Sequence, residues 1–257
     1  MDKKLITILV PAYNEQEVLN MLYERLNTLM NNVPNYNFEI LFVNDGSKDK
    51  TLDIIMDLRK KDSRVCYVNL SRNYGKETAM LAGLDYSKGD AVVIIDADLQ
   101  DPPELIYDMI KYWEEGYDDV YAKRRSRKGE SFLKKFTSKM YYKLLQKFTR
   151  IDIGKDAGDF RLLDRRCVEA LKKMRESQRY TKGLYSWIGY RKKEILFDRD
   201  PRAARKNEME LWKINKLINR WYYIIYNCPI KMGNILRSFS INYRIFIYAL
   251  HNNENNN

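Results

Sequence analysis

Apolar residues recur with two different periods along the first hundred positions. Short, β-branched runs at residues 5–10, 38–43, 64–70 and 91–95 predict strands. Between them, residues 17–30 (Val18, Leu22, Leu26, Leu29), 48–61 (Leu52, Ile55, Met56, Leu58) and 77–86 carry helical spacing. Strict alternation of strand and helix predicts a mostly parallel, doubly wound α/β sheet, Rossmann-like, with its strand-end loops on one edge. One run stands out. Val92-Val93-Ile94-Ile95 is apolar at every position, as a strand buried on both faces requires, and it stops at Asp96-Ala97-Asp98. Beyond it the pattern predicts a helix at 102–113, a strand at 117–122, a helix at 165–174, a mixed stretch at 180–188 and a last strand at 193–197.

Between residues 123 and 150 the composition shifts. Eleven Lys and Arg residues, from Lys123 to Arg150, stand against Glu130 alone, and Phe132, Phe136, Met140, Leu144 and Phe148 interleave among them. This is the pattern of a basic amphipathic helix. It suits a helix lying on an anionic bilayer surface, and equally a solvated basic face over an ordinary core helix. The chain's formal net charge of +11 favours an anionic partner. No nucleic-acid-binding motif accompanies the charge, so nucleic acid is not the expected partner. From Arg205 onward the chain carries scattered charges, aromatics and an Asn-rich end, with no apolar run near the roughly 20 residues that span a bilayer. The expected division is a folded domain at 1–204 and an irregular, poorly ordered tail at 205–257.

Composition narrows the chemistry. Three cysteines (Cys66, Cys167, Cys228), odd in number and without a CxxC pair, argue against a disulfide framework or zinc site and fit a reducing compartment. His251 is the one histidine and lies in the polar tail, which removes histidine acid–base catalysis and most transition-metal sites. The start of the chain is not a signal peptide. No G-x-G-x-x-G or P-loop follows any strand, so a dinucleotide dehydrogenase or P-loop NTPase is disfavoured.

What the strand ends do carry is Asn14 and Glu15, Asp45, Arg72 and Lys76, then Asp96 and Asp98. Ligands of open α/β sheets bind at that edge. Residues i and i+2 of a straight strand share a face, so Asp96 and Asp98 are spaced to grip a hard divalent cation and the phosphates it carries. The plainer reading is an Asp-rich turn. Asn14, Asp45 and Asp98 also suit helix caps, which does not exclude a second role. Further on, Asp159 and Arg161 follow Gly158, and Arg199 and Arg202 are placed for bidentate phosphate contacts.

Six segments in this order resemble the family 2 glycosyltransferases, in particular the polyprenyl-phosphate sugar transferases. They are Val10-Pro11-Ala12-Tyr13-Asn14-Glu15, Val43-Asn44-Asp45-Gly46-Ser47, Ser71-Arg72-Asn73-Tyr74-Gly75-Lys76-Glu77, the stretch 96–103, Gly158-Asp159-Phe160-Arg161-Leu162, and Asp198-Arg199 with Arg202. The resemblance implies a type A glycosyltransferase fold. It implies inverting transfer of a sugar from a UDP- or GDP-linked donor to a polyprenyl phosphate at the cytoplasmic face of a membrane. Pro11, Tyr13, Glu15 and Asp45 would lie along the base and ribose, with Arg72 and Lys76 on the donor side. Asp96 would lie beside the diphosphate, and Asp98 would bind Mg²⁺ or Mn²⁺, with Asp96 adjoining. Asp159 would orient sugar or acceptor, and Arg199 and Arg202 would hold phosphates. A lipid phosphate is already anionic, so the lack of a catalytic histidine is expected.

Bactoprenol-type members continue into two membrane helices; residues 205–257 do not follow that pattern, and any homo-oligomer contacts of the family type would be lost with the anchor. Residues 220–234 can be encoded so that reading one base later yields Asp-Gly-Ile-Thr-Ser-Phe-Thr-Ile-Ala-Pro-Leu-Lys-Trp-Ala, which resembles the family's entry to its first membrane helix. The tail thus reads as a frameshifted remnant of an anchor, leaving a peripheral protein, or a cytoplasmic one if the anchor is lost. A soluble or protein acceptor, and a non-enzymatic basic membrane binder, are the competing readings.

Overall fold

The computed structural model describes residues 3–125, 157–176 and 181–197. Seven strands form one sheet: β1 (Leu5–Ala12), β2 (Asn37–Asn44), β3 (Val65–Asn69), β4 (Ala91–Ile94), β5 (Asp119–Arg124), β6 (Ala157–Asp164) and β7 (Lys192–Phe197). Their order is β3-β2-β1-β4-β6-β5-β7. The helices among the described residues are α1 (Leu19–Asn31), α2 (Thr51–Lys61), α3 (Lys76–Tyr86), α4 (Leu105–Glu114), α5 (Arg165–Lys173) and α6 (Thr181–Trp187). Strands β1 to β4 are mutually parallel, β6 runs antiparallel between β4 and β5, and β7 is parallel to β5.

Both faces of the central strands are buried, as the unbroken apolar runs predict. On one face Ile6, Ile8 and Val10 of β1 and Ala91 and Val93 of β4 pack with Leu22 and Leu26 of α1, Ile55 of α2 and Met109 of α4. On the other, Leu9, Val92 and Ile94 pack with Met80 and Leu84 of α3 and Val168 and Leu171 of α5. The side chains of each strand alternate between the two layers, the period-2 geometry of an extended chain.

The six strands read from the sequence are all present, with ends moved by one or two residues. The seventh, β6, is the exception. The sequence pattern assigns no element to it, yet it pairs with both β4 and β5 and carries Arg161 into the interior. Arg161 is 2% exposed and Asp119 is fully buried. One guanidinium nitrogen of Arg161 donates to both Asp119 oxygens at 3.1 and 2.9 Å, another donates to the Gly158 carbonyl at 3.0 Å, and the guanidinium lies 3.5 Å from the Tyr185 ring centroid. Burial pushes the Asp119 carboxyl above its usual range, with the Arg161 charge opposing it. A central strand tolerates these charges because each has its partner.

The capping role expected of Asn14, Asp45 and Asp98 is not the one they perform. Helices α1, α2 and α4 begin without a side-chain cap. Instead these polar side chains tie strand-end loops into place. Asn14 accepts from the Lys48 N–H at 2.8 Å, and its own N–H donates to the Ser47 hydroxyl at 3.0 Å. The Asp45 carboxylate accepts from the N–H groups of Tyr74 (2.8 Å) and Gly75 (2.9 Å). Asp98 accepts from the Gln100 N–H at 3.1 Å. Gly46 completes the β2 loop at φ +63°, where a Cβ would stand 2.3 Å from the Arg72 carbonyl carbon. Both the backbone conformation and the close approach exclude a side chain there.

Gly46→Ala should therefore lower the unfolding free energy by about 1–3 kcal/mol in urea titrations. Arg161→Met, which strands a buried carboxylate, should cost about 3–5 kcal/mol, and combining it with Asp119→Leu should recover most of that loss. Additive losses in the double variant would refute the ion-pair account.

Candidate active site

Where the strand order turns back on itself, between β1 and β4, the sheet's carboxyl edge opens into a cleft of about 280 Å³. Clefts of open α/β sheets form at this topological switch point. Four chain segments line it. The end of β1 supplies Pro11, Ala12, Tyr13 and Glu15, and the end of β2 supplies Asp45. The loop before α3 and the helix itself supply Asn73, Gly75, Lys76 and Ala79, and the end of β4 supplies Asp96, Ala97 and Asp98.

Packing beneath the cleft sets how Asp96 and Asp98 are presented. The chain leaves β4 after Ile94, and the Ile95 N–H still donates to the Leu9 carbonyl at 3.0 Å. Residues 97 and 98 form a turn, not the straight strand that the i, i+2 spacing assumes. Even so, Ala97 and Leu99 are 3% exposed and belong to the core, so the intervening carboxylates are left at the cleft wall. Leu99 holds φ 58°, a left-handed conformation that is costly for a branched side chain and is retained because the core holds it. Asp45, 3% exposed, uses its carboxylate to anchor the loop that forms the opposite wall.

The electrostatic centre is Lys76, the first residue of α3. Its ammonium lies 2.6 Å from an Asp96 oxygen and 2.7 Å from an Asp159 oxygen. Burial alone would lower the Lys76 pKa, but the two carboxylates outweigh it and raise it. Burial would raise Asp159, yet the charges of Lys76, Lys182 and Arg161 together hold it below its ordinary value. The other Asp159 oxygen, Oδ1, is buried and has no hydrogen-bond partner among the described residues. Helix α6, which carries Lys182 and the fully buried Tyr185, is secured by Glu77, which accepts from the Thr181 N–H at 3.0 Å and from the Thr181 hydroxyl.

Of the residues singled out in the sequence, Pro11, Tyr13, Glu15, Asp45, Lys76, Asp96 and Asp98 converge on this one cleft, and Asp159 joins them through Lys76. Arg72 does not line it; its guanidinium stacks over the exposed Tyr74 ring at 4.6 Å. Arg199 and Arg202, the basic stretch from residue 126 to 150 and the tail lie outside the described residues. Asn73 and Arg161 lie within the six matching segments but carry no assigned role there, and Asp119, Lys182 and Tyr185 lie outside them. Their places depend on contacts made across dozens of positions, which no local pattern carries.

No group of three His, Cys, Asp or Glu side chains gathers as a ready cation cage among the described residues. A hard cation that keeps waters and takes phosphate oxygens needs only one or two protein carboxylates, and the all-oxygen pair Asp96 and Asp98 on one cleft wall fits that demand.

The family model described as glycosyl transferase family 2 matches residues 7–172. A glycosyltransferase of Synechocystis sp. is 44% identical over 246 residues, covering 94% of this chain and 77% of its own. The bactoprenol glucosyl transferase of Shigella phage SfV is 40% identical over 209 residues, covering 81% of this chain and 68% of its own. Among solved structures, a Pyrobaculum calidifontis mannosyltransferase in complex with GDP-Man and Mn²⁺ superposes with a TM-score of 0.55 at 19% identity, covering 93% of this chain and 70% of its own. At that identity the likeness bears on the fold, which is the type A glycosyltransferase fold that the alternating pattern and six motifs lead one to expect. With the family model spanning the strands that build the cleft, this chain belongs to glycosyl transferase family 2.

Proposed function

We propose that the protein transfers a sugar, glucose or a similar hexose, from a UDP- or GDP-linked donor to a polyprenyl phosphate, with inversion at the anomeric carbon. The observation that carries the donor half is the convergence of Pro11, Tyr13, Glu15, Asp45, Asp96 and Asp98 from separate strand ends onto one cleft. The acceptor half is supported by the 40% identity to a bactoprenol glucosyl transferase over 81% of the chain.

In this reading Pro11, Tyr13, Glu15 and Asp45 flank the base and ribose. Asp98, with Asp96 beside it, holds Mg²⁺ or Mn²⁺ together with the diphosphate. When bound, the cation neutralises the charge that builds on the departing nucleoside diphosphate. Asp159 orients the sugar or the acceptor, and Arg199 and Arg202 hold the phosphates. An oxygen of the lipid phosphate forms the new bond to C1 as the bond from C1 to the diphosphate oxygen breaks. The attacking oxygen is already anionic, so none of the chain's groups has to remove a proton from it.

The domain boundary belongs to the same proposal: residues 1–204 form the catalytic domain, and 205–257 an atypical tail. No helix among the described residues is long and apolar enough to cross a membrane. In this reading the basic stretch at 123–150, of which Lys123 and Arg124 belong to β5, contacts the anionic cytoplasmic leaflet.

Two measurements test this. The full-length protein, labelled UDP-glucose or GDP-mannose, Mn²⁺ and undecaprenyl phosphate should yield a lipid-linked sugar; transfer only to water-soluble acceptors would overturn the assignment. Asp98→Ala should reduce that transfer on the order of 10²–10³-fold, the scale on which a lost charge-stabilising group acts. Full activity in the variant would remove Asp98 from the metal role.

A further inference from the structure

Lys76 sits where two carboxylates from different parts of the sheet come together. Asp96 ends the parallel strand β4, whereas Asp159 lies on the antiparallel strand β6. Two anions at one ammonium repel each other, and Asp159, with its side chain 14% exposed, is only partly screened by water. The Lys76 ammonium supplies the countercharge, at 2.6 Å from Asp96 and 2.7 Å from Asp159. Its backbone is fixed as well. Gly75, immediately before it, donates its N–H to Asp45 at 2.9 Å, so Lys76 starts α3 from an anchored position. The side chain remains 39% exposed on the cleft side, and four methylenes leave it room to turn.

We infer that Lys76 is a positioning residue that makes metal binding depend on the nucleotide. With the cleft empty, its ammonium occupies the Asp96 carboxylate and opposes a divalent cation there. A nucleoside diphosphate brings negative charge of its own, draws the ammonium off Asp96 and leaves that carboxylate to the cation. Lys76 keeps its bond to Asp159, so that carboxylate stays charge-balanced when Asp96 is released. Metal and nucleoside diphosphate thus bind with positive coupling, and the coupling is reciprocal. The inference rests on the donor-site reading proposed above.

Titrations of Mn²⁺ into the full-length protein, with and without UDP or GDP, followed by electron paramagnetic resonance of the free ion, test it. In the unmutated protein the nucleotide should tighten Mn²⁺ binding about tenfold or more, a coupling of ordinary size. Lys76→Met and Lys76→Gln should bind Mn²⁺ alone about tenfold more tightly, and the nucleotide should add little. Lys76→Arg, which keeps the charge, should retain weak binding of the metal alone and most of the coupling. A loss of structure at Lys76 would weaken metal binding in every state, the opposite sign. Unchanged Mn²⁺ affinity of the nucleotide-free Met and Gln variants, or unchanged coupling, would overturn the inference while leaving the donor site intact. No binding of Mn²⁺ with either nucleotide by the unmutated protein would overturn both.

Discussion

Burial of the central strands on both faces is the constraint from which the rest follows. A parallel strand covered by helices on either side has few solvent-facing positions, so β4 is apolar throughout, β1 carries Thr7 as its one polar side chain, and β2 is polar at its ends and at Glu39. Charge inside the sheet needs a partner, as Arg161 of β6 has in Asp119, and other charge collects mainly where the strands end. The carboxyl edge therefore collects Glu15, Asp45, Asp96 and Asp98 within one cleft, although up to 83 positions of chain separate them. The site is a consequence of how the sheet is packed as much as of the side chains it contains. The turn at Leu99 makes the link explicit, since an apolar side chain drawn into the core holds the strained backbone that ends the Asp96–Asp98 segment.

Loops at such an edge have no ladder of their own, and polar side chains take its place. Asn14 bonds to the β2 loop, Asp45 bonds to the β3 loop, and Gly46 lets the β2 and β3 loops touch. Three segments that would otherwise move separately become one wall. A carboxylate accepting two backbone N–H groups restrains a loop more firmly than a neutral side chain in the same place. This gives Asp45 a structural duty that coexists with a place at the nucleotide's edge.

Much of this was legible because hydrophobic period and turn residues agree along the first hundred positions. The four parallel strands and α1 to α3 follow from them directly. Strand β6 was hidden for a physical reason. A strand is recognised by its apolar residues, whereas Gly158, Asp159, Arg161 and Asp164 make up half of this one. Its interior position depends on Asp119, 42 residues earlier, which neutralises Arg161. Similarly, the family resemblance placed Lys76 on the donor side, but its bridge to Asp96 and Asp159 spans 20 and 83 residues. Contacts of that range are properties of the sheet order, not of any motif.

That sheet order also explains why Asp159 can act on the cleft at all. An all-parallel sheet would place the neighbour of β4 with its carboxyl end at the same edge, and the residue there would arrive at the strand's exit. Strand β6 runs the other way, with Ile94 opposite Arg161, so its entrance meets the exit of β4. Asp159, near the beginning of β6, consequently faces the end of β4 without a loop to carry it there. Reversing one strand brings a carboxylate to the cleft on a rigid ladder, in a place where loop residues alone supply the others. The cost of that arrangement is two anions close together, and Lys76 at the start of α3 is the group that offsets it.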